Sequence, residues 1–231
     1  MFTGLINAVG TLQPYGTEQL RIICLPEQAH LLLPELEIGD SVAVDGVCLT
    51  VTQILPQGFL ADASPETLSR STLGLISEPE TVNLEPALKL GSKLGGHFVT
   101  GHVDGIGSLQ EVVEIDGSWE MSFSATLSIA RYIVHKGSIA VNGVSLTVAD
   151  CNSAGTWFKV AVIPHTYGKT TLHRLQPGSR VNLEGDILGK YVEKFLRLGD
   201  DRAAGQPPQI REEDGPFESI GPAFLTEHGY L

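Results

Sequence analysis

The sequence predicts an all-β fold of two similar barrels in tandem, followed by one C-terminal α-helix. Three observations support this prediction. The second part of the chain repeats the first at a spacing of 97 residues, so that Thr3-Gly4 corresponds to Thr100-Gly101. Each repeat contains short runs rich in Val, Ile and Thr, separated by turn residues. After Glu184, where the second repeat ends, apolar residues recur at helical spacing.

The repeat extends through most of each half of the chain. SVAVDGVCLTV, which begins at Ser41, returns as SIAVNGVSLTV from Ser138 with 8 of 11 residues identical. Further on, ASPETLSRSTL from Ala63 corresponds to VIPHTYGKTTL from Val162, and VNLE follows in both halves. The spacing there is 99 residues, because the second copy has gained two. A period of this length is the size of a small domain, so two homologous domains are predicted.

Turn residues within each repeat predict short antiparallel strands. Asp45-Gly46 and Asn142-Gly143 favour tight hairpins, because both central residues of such a turn need positive φ. Short strands at this spacing are typical of a small closed barrel, so we expect about six strands per barrel and a pseudo-two-fold axis between the barrels. Short helical segments are expected around residues 26–33 and 125–134, and from Pro65 and Pro164 onward.

Residues 186–198 are predicted to form an amphipathic helix. Asp186 is a suitable N-cap, Gly199 is expected to end the helix, and the apolar stripe lies between them. No such segment follows the first repeat, so the helix either packs on its own barrel or joins copies of the chain. The predicted domains are an N-terminal barrel (1–96), a C-terminal barrel (97–185), the helix (186–199) and a solvated, flexible acidic tail (200–231).

Composition excludes several classes of function. A formal net charge of −12 disfavours nucleic-acid binding, which needs clustered Lys and Arg. No apolar run approaches the length of a membrane span, and the N-terminus does not resemble a signal peptide, so a cytoplasmic location is expected. The three scattered cysteines predict neither a disulfide framework nor a zinc cluster. The sequence also contains no phosphate-binding glycine loop and no hydrolase or zinc-protease motif.

Polar residues that recur in both halves indicate two copies of one small-molecule site. A duplicated fold needs duplicated core residues, but it does not need duplicated polar ones. The recurring pairs are Thr3 and Thr100, Ser41 and Ser138, Thr50 and Thr147, and Thr67 and Thr166. His97 and His102 could suggest a metal site, but no acid or thiol cluster accompanies them. We therefore expect His97 to pack or form a hydrogen bond at a strand start, and His102 to face a pocket.

The motifs MFTGLI, DGVCLTV, GGHFVTGHVDG and NGVSLTV resemble those of the riboflavin synthase family, in order and over roughly residues 1–198. This resemblance implies two six-stranded antiparallel Greek-key barrels, each binding one lumazine, with two lumazines per active site. It further implies a homotrimer, no cofactor and no metal, and it makes lumazine synthase a candidate partner. The implied reaction converts two molecules of 6,7-dimethyl-8-ribityllumazine into riboflavin and a ribitylamino-pyrimidinedione.

The resemblance also implies particular site residues. Positions that the family links to activity correspond to Phe2, Ser41, Cys48, His102 and Asp186. Together with the recurring threonines, the N-terminal site would comprise Thr3, Gly4, Leu5, Ile6, Val47, Cys48, Leu49, Thr50, Asp62, Ala63, Ser64, Pro65, Glu66 and Thr67. The C-terminal site would comprise His97, Gly101, His102, Val103, Lys136, Val144, Ser145, Leu146, Thr147, Ala161, Val162, Ile163, Pro164, His165 and Thr166.

The expected mechanism uses differences between the two halves. His102 and Cys48 are the titratable candidates for proton abstraction and nucleophilic assistance, whereas Leu5 and Ser145 occupy the equivalent positions. His165 replaces Glu66, so the two sites would bind the ribityl chain differently. One alternative is a non-catalytic lumazine- or flavin-binding antenna protein of the same fold. Another is a generic β-barrel interaction module, which would not account for the recurring polar residues.

Overall fold

The computed structural model describes residues 1–16 and 18–203, with side chains up to residue 196. Residues 1–190 form one compact unit, and a second unit begins at Tyr191. The tail expected at 200–231 lies outside the described residues from position 204 onward. The first barrel comprises β1 Ala8–Pro14, β2 Gln19–Cys24, β3 Ser41–Val44, β4 Val47–Leu55, β5 Gly58–Asp62 and β6 Glu80–Pro86. The second comprises β7 Gly105–Ile115, β8 Ser118–Ser124, β9 Ser138–Val141, β10 Val144–Cys151, β11 Trp157–Val162 and β12 Arg180–Gly185.

Both barrels are closed and have the same strand order. The first runs β1-β2-β5-β4-β3-β6, and the second runs β7-β8-β11-β10-β9-β12 when read in the same direction. Every strand pair is antiparallel. The predicted fold of two tandem six-stranded Greek-key barrels is therefore confirmed.

Alternating apolar residues fill each barrel. In β4 the side chains of Val47, Leu49 and Val51 point into the first core, while Thr50 between them is exposed. This alternation follows from the two-residue period of a strand. The predicted β3–β4 hairpin forms with φ of 44° at Asp45 and 78° at Gly46, as a tight two-residue turn requires.

Asparagine side chains at the barrel junction join the two hairpin turns. The Asn83 Nδ2 atom donates to the Asn142 carbonyl at 2.9 Å, and the Asn182 Nδ2 atom donates to the Asp45 carbonyl at 2.9 Å. Antiparallel hydrogen bonds between Phe2 and Val99 add a further link. Because each contact has a counterpart from the other repeat, the barrels are related by the expected pseudo-two-fold symmetry.

The helical segments are shorter than the sequence suggests. The expected helix at 26–33 consists of two 3₁₀ turns, Ala29–Leu31 and Leu33–Glu35, because Pro34 lies where a continuous helix would need a backbone N–H donor. The expected helix at 125–134 is limited to α2, Leu127–Ala130. The helices starting at Pro65 and Pro164 are present as α1, Pro65–Arg70, and α3, Pro164–Lys169, each followed by a 3₁₀ turn at Thr72–Leu75 or Thr171–Arg174.

The C-terminal helix α4 extends from Ile187 to Ala203. Asp186 caps it, since its Oδ1 atom accepts a hydrogen bond from the Leu188 N–H at 3.0 Å. The prediction that Gly199 ends the helix is wrong, because a single glycine inside a helix costs only about 1 kcal/mol and no proline follows directly. Among the described residues, no helix combines the length and apolarity needed to span a lipid bilayer.

Candidate functional site

The segment before β1 crosses from the first barrel to the second. Glu85 of β6 holds its near side: the Thr3 N–H and the Thr3 hydroxyl both donate to Oε1 at 2.7 Å, and the Gly4 N–H donates to Oε2 at 3.0 Å. On the far side, the Gly4 carbonyl accepts a hydrogen bond from the Ser145 N–H at 2.8 Å. Ile6 then packs against the core of the second barrel.

The segment before β7 makes the reciprocal crossing. The Thr100 N–H and hydroxyl donate to the Glu184 Oε1 atom at 2.7 and 2.6 Å, and the Gly101 N–H donates to Oε2 at 3.0 Å. The Gly101 carbonyl accepts from the Cys48 N–H at 2.9 Å, and Val103 packs against the core of the first barrel. The two barrels thus exchange their leading segments.

Glycine is required at both crossings. Gly4 and Gly101 have φ of 76° and 83°, in the left-handed region that side chains disfavour. A Cβ atom added at either position would lie 2.5 Å from the Cβ atom of Ser145 or Cys48, respectively. The Thr-Gly pairs recur visibly in the sequence, and the structure supplies the reason for the glycines.

A pocket of about 270 Å³ combines residues of the first barrel with the segment that crosses into it. Its volume is slightly below the usual range of about 300–1,000 Å³ for small-molecule sites. The lining residues are Val47, Cys48, Ser64, Glu66, Thr67, Arg70, Ser71, Gly101, His102 and Val103. We refer to this pocket as the N-terminal pocket.

The crossing corrects the assignment of residues to sites. The sequence places Gly101, His102 and Val103 in the C-terminal site, but these three residues line the N-terminal pocket. Conversely, Gly4 abuts Ser145, and Ile6 packs on the second barrel, although the sequence places both in the N-terminal site. The reason is that each leading segment packs on the sister barrel, which a comparison of the two copies cannot reveal.

The rim of the N-terminal pocket is formed by the start of α1. The Ser64 hydroxyl accepts a hydrogen bond from the Thr67 N–H at 3.1 Å and caps the helix, and Pro65 occupies the first helical turn. An ion pair of 3.0 Å between Arg70 and Glu66 lies across this turn, with both side chains exposed. The rim therefore presents hydroxyl, carboxylate and guanidinium groups, which suit a hydroxyl-rich ligand.

The corresponding part of the second barrel has different chemistry. His97 is 7% exposed, and a hydrogen bond of 2.7 Å joins its Nδ1 atom to the Ser145 Oγ atom. Its buried Nε2 atom has no protein partner. Burial lowers the pKa of His97, against the opposing effect of the Asp186 charge. A buried imidazole hydrogen-bonded to a serine hydroxyl thus corresponds to the Cys48 region of the first barrel.

The other predicted residues occupy varied positions. Phe2 is fully buried between the barrels with Ala43, Val99 and Ala140, and Cys48 packs against this cluster. Ser41 pairs with Thr50 at the far end of the β3–β4 hairpin. The remaining predicted residues divide into core side chains (Leu49, Ala63, Val144, Leu146, Val162) and more accessible positions (Leu5, Asp62, Lys136, Thr147, Ala161, Ile163, Pro164, His165, Thr166).

Two matches to the lumazine-binding domain family coincide with the two barrels, at residues 3–87 and 100–186. The chain is 41% identical over 231 residues to riboflavin synthase of Actinobacillus pleuropneumoniae, covering 100% of both chains. It is 44% identical over 201 residues to riboflavin synthase of Mycobacterium bovis, covering 85% of this chain and 98% of the relative. The chain belongs to the riboflavin synthase family. The prediction of a transferase enzyme is confirmed with it.

A solved structure with the same fold contains a bound flavin. LumP complexed with riboflavin superimposes with a TM-score of 0.70 at 23% identity, covering 80% of this chain and 99% of LumP. At this identity the similarity establishes the fold alone. The superposition agrees with the two-barrel fold of this member of the riboflavin synthase family.

The two carboxylates that hold the crossing segments are not among the site residues predicted from the sequence. Glu85 and Glu184 are 3% and 2% exposed, and burial raises the pKa of each while the donated hydrogen bonds oppose the rise. The available signal was the repeated VNLE motif, in which an acid occupies a strand position that faces the barrel junction in both copies. The motif identifies the repeat, but the sequence alone does not identify its acid as a site residue.

A second, larger pocket of about 550 Å³ lies elsewhere at the barrel junction. Asp45, Asn142, Thr171, Arg174 and Arg180 are among its lining residues. None of the site residues implied by the riboflavin synthase family lies in it. We therefore assign the candidate site to the smaller N-terminal pocket, where Cys48 and His102 come together.

Proposed function

We propose that this chain catalyses the dismutation of two molecules of 6,7-dimethyl-8-ribityllumazine. One lumazine transfers a four-carbon unit to the other, which yields riboflavin and 5-amino-6-ribitylamino-pyrimidinedione. The two products together contain the atoms of two substrates, so no external oxidant or reductant is needed. The observation that carries the proposal is the reciprocal crossing of the Thr-Gly segments, which links the two barrels at the edge of the N-terminal pocket.

The duplicated fold supports a reaction between two identical molecules. Two related barrels can hold two copies of one substrate in a defined mutual orientation. Proximity and orientation of this kind can contribute on the order of 7–11 kcal/mol to the lowering of a barrier. In this proposal the apposition of two bound lumazines, rather than a cofactor, supplies most of the acceleration.

We propose that His102 and Cys48 perform the polar steps at the N-terminal pocket. His102 accepts a proton from the acidic 7-methyl group of one lumazine, and Cys48 assists addition at C7 of the other. Their presence in the lining of one pocket supports this pairing. The equivalent residues of the other copy, Leu5 and Ser145, cannot act as a base and a thiolate, so the two bound lumazines would have different roles.

We propose that polar groups at the start of α1 hold the ribityl chain. Ser64, Glu66, Thr67 and Arg70 line the N-terminal pocket and supply both donors and acceptors. In the second barrel, Ile163, His165 and Lys169 occupy three of the equivalent positions. That barrel would therefore bind the ribityl hydroxyls through a different set of hydrogen bonds.

We further propose that helix α4 joins three copies of the chain, with residues 186–199 as the trimerisation segment. Five large apolar side chains at helical spacing are between 56% and 68% exposed, namely Leu188, Tyr191, Val192, Phe195 and Leu196. Light scattering tests this assembly: Phe195→Glu should reduce the mass from that of a trimer, whereas Lys194→Glu on the same helix should not. An unchanged mass for Phe195→Glu would contradict the proposal.

We also propose lumazine synthase as a partner, which cosedimentation of the two purified proteins tests.

Incubation with lumazine tests the enzyme directly. The purified protein and 6,7-dimethyl-8-ribityllumazine alone should yield riboflavin, detected by its absorbance, together with an equal amount of the pyrimidinedione. Binding of lumazine without formation of riboflavin would instead indicate a non-catalytic antenna protein. A solved structure of the same fold, that of LumP, contains bound riboflavin.

A further inference from the structure

We propose that Glu184 is a positioning residue for His102, a role that rests on the function proposed above. Its carboxylate holds Thr100 and Gly101 at the crossing, and thereby places His102 in the N-terminal pocket. Glu184 is almost fully buried and lies in the second barrel, whereas the pocket belongs mainly to the first. It would thus act through the backbone of the segment and not by contact with the substrate.

A continuous chain of hydrogen bonds connects Glu184 to His102. The Thr100 hydroxyl donates to the Glu184 Oε1 atom at 2.6 Å. The same hydroxyl oxygen accepts the His102 N–H at 3.2 Å. His102 is consequently separated from the buried carboxylate by a single hydroxyl group.

The segment is also held from the opposite side. The Gly101 carbonyl accepts the Cys48 N–H at 2.9 Å, so Gly101 is bound by Cys48 of the first barrel and by Glu184 of the second. A displaced segment would break both sets of hydrogen bonds. The position of His102 relative to Cys48 therefore depends on the Glu184 contacts.

Three donated hydrogen bonds explain why the residue is a carboxylate. Oε1 accepts two hydrogen bonds and Oε2 accepts one, and all three donors belong to Thr100 and Gly101. A glutamine amide has the same shape, but its NH₂ group cannot accept a hydrogen bond. Glu184→Gln would leave at least one buried N–H without an acceptor and loosen the segment.

Glu85 provides a matched control within the same chain. It makes the same three hydrogen bonds to Thr3 and Gly4, and the Leu5 N–H again donates to the threonine hydroxyl at 3.2 Å. The residue delivered at this crossing is leucine, which has no ionisable group. Loss of the Glu85 contacts should therefore destabilise the fold much as loss of Glu184 does, without displacing His102.

A double-mutant cycle separates positioning from stability. Glu184→Gln should lower kcat by roughly ten- to a hundredfold with a smaller change in KM, since a misplacement of about 1 Å can cost on the order of 10²-fold. In a His102→Ala background it should have little further effect, because the two residues act as one unit. Glu85→Gln should lower kcat less, and the fold-loss in the Glu85→Gln/His102→Ala double variant should be the product of the two single losses, as expected for independent residues. A product of the two single losses for Glu184→Gln and His102→Ala would overturn the proposal.

A second variant and a second measurement cover a Glu184→Gln protein that does not fold. Thr100→Val removes the connecting hydroxyl with little change in shape and should give the same non-additivity with His102→Ala, with Thr3→Val as its control. NMR of histidine imidazoles, with the His102 signal assigned by its loss in His102→Ala, should show that signal displaced in Thr100→Val or Glu184→Gln and unchanged in Glu85→Gln. An unmoved His102 signal would overturn the proposal. Absence of riboflavin formation by the wild-type chain would overturn the function alone, because the NMR result does not depend on turnover.

Discussion

The two barrels have the same strand order and the same crossing, yet their sites differ in chemistry. In both copies a buried glutamate holds a Thr-Gly segment, and the glycine carbonyl accepts a hydrogen bond from the sister barrel. The residue after the glycine is His102, which lines a pocket with Cys48, in one case and Leu5, which follows the glycine that abuts Ser145, in the other. The duplication thus preserves the framework that sets the geometry, while the side chains that could react have diverged.

The two copies also differ in the groups that surround Ser145 and Cys48. In the second barrel Ser145 is joined to His97, whose pKa is lowered by burial. In the first barrel Cys48 faces an open pocket with His102. A shared framework with unequal reactive groups is compatible with the reaction proposed above, in which two identical molecules take different roles.

Exchange of His102 and Leu5 between the copies should have the largest effect. His102→Leu should lower kcat by about 10²–10⁴-fold, the usual contribution of a general base. Leu5→His adds a base on the other side and should leave kcat within a few-fold of the wild type. Initial rates of riboflavin formation, with flavin binding measured by fluorescence titration, check both variants. Equal losses of kcat in His102→Leu and Leu5→His would contradict the different roles proposed for the two sites.

Alanine at Gly101 should separate the effect of the crossing from that of backbone strain. Gly101→Ala combines an unfavourable φ of 83° with a Cβ contact of 2.5 Å to Cys48. We expect a loss of about 2–5 kcal/mol in the free energy of unfolding. Gly16 has the same φ and open space around it, so Gly16→Ala should cost only about 1–2 kcal/mol. Denaturant titrations measure both values, and equal costs would show that the close approach is unimportant.

Asp45 offers a pH test of the barrel junction, since Asn142 is its counterpart. Burial raises the pKa of Asp45 to about 8, with repulsion from Glu80 adding to the effect and the Asn83 N–H opposing it. A carboxyl whose folded pKa lies above its unfolded value contributes stability below the unfolded pKa, and that contribution is lost as the pH rises through the folded pKa. Stability should therefore decrease between about pH 4 and pH 8.

Asp45→Asn should remove this pH dependence and stabilise the protein at pH 8 by on the order of 1–3 kcal/mol, the cost of a poorly paired buried polar group. Asparagine can keep the existing bond, as the Asn142 Oδ1 atom accepts the Asn182 N–H at 2.8 Å. Unfolding by denaturant at pH 4 and pH 8 is the measurement. A variant that is as pH-dependent as the wild type would assign the effect to another group.

Serine at position 48 should have the smallest of these effects. Cys48→Ser makes the first copy resemble Ser145 and should lower kcat by about tenfold, equivalent to 1.4 kcal/mol. Binding of lumazine should change less, because the pocket keeps its shape. Ser145→Cys is the reciprocal control, with little effect expected on either quantity. Equal losses of binding and turnover in Cys48→Ser would identify Cys48 as a packing residue.

Local patterns in the sequence were sufficient for the fold of each copy. The Asp45-Gly46 and Asn142-Gly143 pairs predicted hairpins because few other dipeptides tolerate two positive φ angles. The alternation of β4 predicted a half-buried strand because its side chains point to opposite faces. The end of α4 was predicted less well, since Gly199 weakens a helix without stopping it.

The sequence by itself determined that the chain has two homologous barrels, because two similar sequences of domain length form similar structures. Only the tertiary structure decided which barrel each leading segment joins. Thr3-Gly4 and Thr100-Gly101 have the same local sequence, so either barrel offers each segment an equivalent set of partners. The choice depends on contacts between residues more than 40 positions apart, such as Cys48 with Gly101 and Gly4 with Ser145. Such contacts leave no periodic pattern along the chain, and for the same reason Glu85 and Glu184 became recognisable as site residues only in three dimensions.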